Sequence, residues 1–309
     1  MIRKIATREM SEKQWQDARK GSIGGSDAAA IVGLNPYKSA YALWAEKSGM
    51  IEPEDISMRE AVRLGHELEP YVAKRFPEIT GKKVRRENFI LKNDLYPFAH
   101  ANVDRMVIGE RAGLECKTTS ALSLGKFKGG EYPATYYVQC VHYLAVTGLD
   151  RWYLCVLIGN QEVRVFTIER DEDEIKALMD MEGQFWAQVD AGIAPTPDGS
   201  DSSSRAIAQL YADEGGECDL TYYDHTLGEY VVLKRQIKEL TEKCDGLGNI
   251  IKEFMGTASK GFATDYEVSY GNRSKKTFDV KKYQKDNPGI DLSGYYKVSS
   301  YRQFEVKGA

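Results

Sequence analysis

Between Val84 and Ile168 the hydrophobic period changes twice, from strand to helix and back, and this constrains the fold more than any other feature of the chain. Asn88-Phe89-Ile90-Leu91, Phe98 to Ile108 and Gly113 to Lys117 read as strands separated by turn residues, and are expected to lie in one sheet. Tyr136 to Val146 has helical spacing. Trp152 to Ile158 and Val163 to Ile168 then read as two strands joined by a turn at Gly159-Asn160. Asp171 to Val189 is helical again. Alternation of this kind predicts an α/β fold, a central sheet with helices on its faces.

The segment ahead of it is helical. Ser11 with Gln14 three residues on has capping-box spacing for a helix through Trp15 and Arg19 that Gly21 ends. After the Gly24-Gly25 turn, Ser26 is the expected N-cap of a helix beginning at Asp27 and running into three alanines. Ser39 caps a further helix that stops at Gly49. A longer one starts near Ser57, with Ala61, Leu64, Leu68 and Val72 on one stripe. Pro70 interrupts it, either as a kink near Glu69 or as a new helix start.

The stretch from Pro195 to Ser204 is the clearest linker, and predicts a core over 1–194, a linker over 195–225 and a C-terminal extension over 226–309. The extension opens with an amphipathic helix from about Thr226 to Phe254, with Val231, Ile237, Leu240 and Leu247 among its apolar positions, which suits a packing or assembly arm. Phe262 to Val306 mixes aromatic and basic residues. A small β-rich module touching nucleic acid and ordinary half-exposed strands both fit it.

With 309 residues, 42% hydrophobic and 28% charged, the chain can bury a substantial core. Its apolar runs are far shorter than a membrane span and Met1–Met10 has no apolar signal region, so a soluble cytoplasmic protein with no membrane partner is expected. Five scattered cysteines, never spaced C-x-x-C, speak against a disulfide framework or a zinc site. The four histidines form no ligand-spaced pair and are given no catalytic role. A net charge of −4 requires any nucleic-acid site to be a local basic patch. Lys82, Lys83, Arg85 and Arg86 form one. The region from Thr257 onward, with ten Lys or Arg against six Asp or Glu, is another, although a solvated face accounts for either equally well.

The chemistry-bearing pattern is Asp104 followed eleven residues later by Glu115-Cys116-Lys117, with Arg111-Ala112-Gly113 as the expected turn between two strands. Glu115 and Lys117 are two apart in a strand and so share a face, while Cys116 points to the other and leaves its backbone carbonyl as a candidate ligand. Two adjoining carboxylates repel by about 4 kcal/mol at an effective dielectric near 20. A divalent cation removes that cost, and oxygen-only donors suit Mg²⁺, with Mn²⁺ able to substitute. Such a centre polarises a phosphoryl oxygen and lowers the pKa of water, and Lys117 can orient or deprotonate that water. A structural ion pair on a strand has the same isolated pattern. Arg19 with Ser26, seven residues on, would offer a guanidinium, a hydroxyl and free helix N–H groups to a phosphate, or be no more than a cap and a surface arginine. Gln139 and Tyr143 are one helical turn apart, either beside the substrate or as a buried polar pair.

Taken together, these residues resemble the lambda-exonuclease-like, YqaJ-type viral recombinase family of the PD-(D/E)XK nucleases. The resemblance runs in order from Trp15 to Ile168: Arg19 with Ile23-Gly24-Gly25-Ser26-Asp27-Ala28, Leu34-Asn35-Pro36-Tyr37, Gly65-His66-Glu67-Leu68-Glu69-Pro70, Ala101-Asn102-Val103-Asp104, Leu114-Glu115-Cys116-Lys117, and Tyr137-Val138-Gln139 with Tyr143. It implies a restriction-endonuclease-like core with a mixed sheet. Asp104, Glu115 and the Cys116 carbonyl would hold the metal, Lys117 would serve the attacking water, and Glu69, with Glu67 as competitor, would serve a second metal. Arg19 and Ser26 would receive a terminal 5′-phosphate, and Gln139 and Tyr143 would position substrate or water. The implied reaction is hydrolysis of double-stranded DNA from its 5′ ends to mononucleotides, leaving 3′ tails, by a homotrimer that works with a single-strand annealing protein in phage-type recombination. An endonuclease or junction resolvase on the same fold, and a noncatalytic DNA-binding module, are the rival readings.

Overall fold

The strand-forming text folds into two sheets rather than one. A computed structural model describes residues 1–212, 214–297 and 301–307, and the chain divides into two compact units, Met1–Ala212 and Asp213–Ala309. In chain order the first unit carries β1 (Ile2–Ala6), α1 (Glu12–Lys20), α2 (Gly25–Ile31), α3 (Ala40–Lys47), α4 (Glu60–Thr80), β2 (Val84–Arg86), β3 (Phe89–Asn93), β4 (Tyr96–Asn102), β5 (Arg105–Val107) and β6 (Ala112–Thr119). A 3-10 segment, Ala121–Gly130, then leads into α5 (Ala134–Thr147), β7 (Arg151–Ile158), β8 (Glu162–Glu169), α6 (Glu172–Ala191) and α7 (Asp201–Leu210).

The larger sheet has the order β2-β5-β6-β7-β8 and is mixed, because α5 crosses over between the parallel neighbours β6 and β7. The smaller sheet, β1-β3-β4, is antiparallel. The expected single strand from Phe98 to Ile108 is therefore two. Ile90 pairs with Asn102 in one sheet and Arg105 with Leu114 in the other, and the chain changes sheets at Val103-Asp104. The break has a local cause. The Asp104 carboxylate takes the Cys116 N–H at 2.8 Å, a donor that a continued ladder would give to a backbone carbonyl.

Side chains alternate across β6 and β7, so each face of the larger sheet builds its own core. Leu114, Cys116, Tyr153 and Cys155 pack under Val72, Ala73 and Phe76 of α4. On the other face Trp152, Leu154 and Val156 pack against Cys140, Leu144 and other residues of α5. A side chain at Gly113 would start 2.3 Å from the Trp152 ring, so glycine there admits the indole. α4 is continuous through Pro70 and Pro77, and the expected interruption is absent. Pro70 lies on the exposed side, as does His66, whose carbonyl loses its helical partner there, and water can serve that oxygen.

The stretch expected as linker over 195–225 contains α7, a helix of the first unit. Ser200 caps it by accepting from Ser203 N–H, and Ser203 donates to Ser39 at 2.9 Å while Ala206 is buried beside Tyr41 and Ala42. Its serine-rich first turn has the composition of a loop, which hid the helix. The second unit carries α8 (Asp224–Met255), β9 (Lys260–Phe262), β10 (Glu267–Ser269) and α9 (Val280–Asp286). The β-rich module expected there reduces, among the described residues, to one antiparallel pair of three-residue strands. None of the residues of β9, β10 or α9 is buried, so alternation has no core face to serve. No helix among the described residues is long and apolar enough to cross a membrane.

Candidate active site

Where β4 passes into β5, continued antiparallel register sets Asp104 opposite Glu115. Glu115 is 3% exposed. Its Oε1 accepts from Lys117 Nζ at 2.6 Å and from Gln139 Nε2 at 2.8 Å, while its Oε2 is buried with no hydrogen-bond partner. Asp104 is held well above the usual carboxylate range by burial, by Glu115 and by Glu69, against the opposing pull of the Cys116 N–H and Lys117. Negative charge is thus crowded here beyond what the side chains present can neutralise.

Lys117 shares the α5 face with Glu115, as the strand period predicts. Burial alone would lower its ammonium pKa, but Glu115 and Asp104 outweigh that and raise it, and its Nζ lies 5.5 Å from the Tyr136 ring centroid. Lys117 is therefore a firmly charged donor in this arrangement. Cys116 sits on the opposite face beneath α4, and burial pushes its thiol up, so the sulfur stays protonated. Its N–H points to Asp104. Because a strand residue directs N–H and C=O toward the same edge, the Cys116 carbonyl faces that side as well.

Glu69 approaches from α4. Arg105, itself buried, donates to it at 2.6 Å and also donates to the Asp104 carbonyl. Glu67 points away: its side chain is exposed and lies 4.0 Å from Arg63. Gln139 links the acidic cluster to α5, since Nε2 also donates to the Tyr143 hydroxyl at 2.8 Å.

Arg19 and Ser26 stand at the other side of Tyr143. Helix α2 begins one residue earlier than Ser26, at Gly25, with Gly24 as its N-cap, so the expected cap at Ser26 is corrected. The reason is Asp27, whose carboxylate reaches back to the Gly24 N–H at 3.0 Å and pairs with Lys47 at 2.8 Å. Ser26 falls in the first turn and is exposed. A Cβ on Gly25 would lie 2.6 Å from the Tyr143 ring, so the glycine lets α2 lie directly on α5. Arg19 stacks on Trp15 at 4.1 Å and donates its Nε–H to His100 Nε2 at 3.4 Å. A side chain on Gly24 would meet Arg19 at 3.7 Å, just ahead of that helix.

His100, Asp27, Lys47 and Arg105 belong to this surround, and sequence reasoning gave them no part. His100 Nε2 accepts from Arg19, which leaves the proton on Nδ1 to donate to Ser22 Oγ at 2.9 Å. Burial and the Arg19 charge push its pKa down to about 2. His142 is the reverse case: Glu182 and the His100 carbonyl, both acceptors, face its two ring nitrogens at 2.8 and 2.9 Å. Burial disfavours its charge, yet Glu182 raises the pKa overall. The capping spacing of Asp27 with Gly24 is the one signal among these that the sequence offered.

The donors suit a hard cation. An orphaned carboxylate oxygen on Glu115, a crowded Asp104 and the Cys116 carbonyl present oxygen only. Among the described residues no three His, Cys, Asp or Glu side chains converge tightly enough to enclose an ion. Two carboxylates and a carbonyl make an open site, the kind in which Mg²⁺ keeps water and takes substrate phosphate.

Residues 14–150 match the model of the YqaJ-like viral recombinase domain. The uncharacterized protein YqaJ of Bacillus subtilis (strain 168) is 39% identical over 305 residues, which is 97% of this chain and 95% of that protein. Protein D345L of African swine fever virus (strain Badajoz 1971 Vero-adapted) is 47% identical over 38 residues, 12% of this chain and 11% of that protein. Among solved structures, an alkaline exonuclease (LHK-Exo) from Laribacter hongkongensis superposes with a TM-score of 0.50 at 20% identity, covering 64% of this chain and 100% of that one. That likeness concerns the fold, and the expected α/β core with a mixed sheet between helices is the fold found.

A pH dependence follows for the cation-free protein. Because folding raises the Asp104 pKa, its contribution to stability is fully present below the ordinary carboxylate range and is lost as pH rises through the raised value. In chelator at neutral pH, Asp104→Asn is expected to melt about 3 °C or more above the wild type, the scale of about 1 kcal/mol in a domain of this size. The gap should narrow as pH is lowered. A lower melting temperature for Asp104→Asn at neutral pH would contradict the crowding described.

Proposed function

Because the chain belongs to the YqaJ-like viral recombinase family, we propose that it is a divalent-cation-dependent deoxyribonuclease digesting double-stranded DNA from 5′ ends, releasing mononucleotides and leaving 3′ single-stranded tails. The observation that carries this reading is the buried, unpartnered Glu115 Oε2 beside Asp104, with Lys117 bonded to the same carboxylate. Mg²⁺, or Mn²⁺ in its place, would be held by Asp104, Glu115 and the Cys116 carbonyl, with Glu69 at a second position, and would supply phosphoryl polarisation and acidification of water.

The chain's own residues do the rest. Lys117, kept charged by its carboxylate neighbours, donates to the attacking water or to the negative charge that grows on the phosphate. Gln139 fixes the Glu115 carboxylate by its donated hydrogen bond, and Tyr143 fixes Gln139 in turn. Arg19 is steered by Trp15 and His100, which leaves its Nη groups for the terminal 5′-phosphate together with the Ser26 hydroxyl. The alkaline exonuclease with the same fold supports exonuclease over other chemistry on this scaffold. By the family resemblance the enzyme acts as a homotrimer in the cytoplasm, and its tails are passed to a single-strand annealing protein.

Linear duplexes labelled separately at each end, and closed circular duplex, test the reading with and without Mg²⁺. Label at the 5′ ends should be lost first, with Mg²⁺ only, and the circle should stay intact. Cleavage of the circle would instead mark an endonuclease. Glu115→Ala or Lys117→Ala should lower the rate about a hundredfold or more with the fold retained by circular dichroism. Arg19→Ala should lose roughly tenfold on 5′-phosphorylated ends, the scale of one charge-assisted hydrogen bond. Equal loss on 5′-hydroxyl ends would remove the phosphate pocket.

A further inference from the structure

α8 spaces its apolar side chains in alternating steps of three and four. Tyr230, Ile237, Cys244 and Ile251 hold the first position of a seven-residue repeat, and Leu233, Leu240, Leu247 and Phe254 the fourth, through four consecutive repeats. A period of 3.5 drifts around a straight helix of 3.6 residues per turn and stays on one face only where helices wrap around each other. The stripe is about 36 Å long at 1.5 Å per residue. None of the residues of α8 is buried; Leu247 is 63% and Phe254 93% exposed. Gly228, Gly246 and Gly248 lie inside the helix and weaken it relative to alanine, so intrinsic propensity does not account for 32 helical residues.

We propose that this seam packs against the same seam of a second copy of the chain, parallel and in register. Isoleucine at the first position with leucine at the fourth is the combination that favours two parallel strands. The flanking charges choose the same orientation. In a parallel pair Glu229 of each copy faces Lys234 of the other, whereas the antiparallel pairing that matches the apolar layers brings the two Lys243 side chains together. The pairing surface lies outside the catalytic cluster and stands independently of the nuclease reading.

Cys244 reports on the orientation, because only the parallel pairing sets it beside its own copy; the antiparallel one sets it against Leu240. Cys218 is the other exposed cysteine, while Cys116, Cys140 and Cys155 are buried. The full chain carrying Cys218→Ser, treated with a mild thiol oxidant, should convert to a covalent dimer on a non-reducing gel, and Cys244→Ser should abolish the band. Glu242→Cys in the Cys244→Ser background, on the outer side of the helix, should link at least about tenfold more slowly, since disulfides need α-carbons within about 7 Å. Leu240→Asp with Leu247→Asp should suppress the Cys244 link while circular dichroism shows the first unit folded. No dimer through Cys244, equal linking through Glu242→Cys, or preferential linking of Cys244 to a cysteine placed at Leu240 would each overturn the proposal.

Discussion

A glutamate carboxylate is buried in this core with one oxygen bonded twice and the other not at all, and much of the surrounding structure serves to hold it there. Glu115 sits on the inner strand β6, so its backbone is fixed by neighbours on both sides, and its side chain is committed to the α5 face. Lys117 and Gln139 satisfy Oε1, and Asp104 arrives from the point where the chain changes sheets. An unpaired buried carboxylate oxygen is costly on its own. A hard cation offsets that cost, and the same crowding that penalises the cation-free state raises its affinity for one.

Behind the cluster, polar groups are arranged so that charge is assigned without ambiguity. Tyr143 is wedged between Gly25 of α2 and Trp152 of β7, and its hydroxyl holds Gln139. Two histidines share one backbone link but take opposite states: His142 faces acceptors on both ring nitrogens, and His100 accepts from a guanidinium. A neutral His100 beside Arg19 orients that arginine without adding positive charge, while the buried His142–Glu182 pair ties α5 to α6. The acidic cluster and the Arg19 side are thus connected through one helix.

Much of this was legible in the amino-acid sequence, for reasons that differ by residue. The change of period around α5 announced the α/β core, and the spacing of Glu115 and Lys117 announced their common face. Ser11, Ser39 and Asp171 were visible as caps because their side chains bond to neighbours three or fewer residues away. What escaped depends on distant partners. Phe98 to Ile108 has continuous strand character, and only the tertiary bond from Cys116 to Asp104 divides it. α7 has a loop's composition and is held by its contact with α3. Gly24 displaced Ser26 as a cap because Asp27 had a second partner in Lys47, far away in sequence. His100 and Arg105 act through residues that no local pattern connects to them.

The central claim is that the crowded carboxylates form a cation site, and calorimetric titration of the full chain with Mn²⁺ in buffers of different ionisation enthalpy tests it directly. The account predicts saturable binding accompanied by proton release, because Asp104 gives up the proton that its neighbours make it retain, with both signals lost in Glu115→Gln. Binding that survives Glu115→Gln unchanged, or the absence of saturable binding in the wild type, would contradict it.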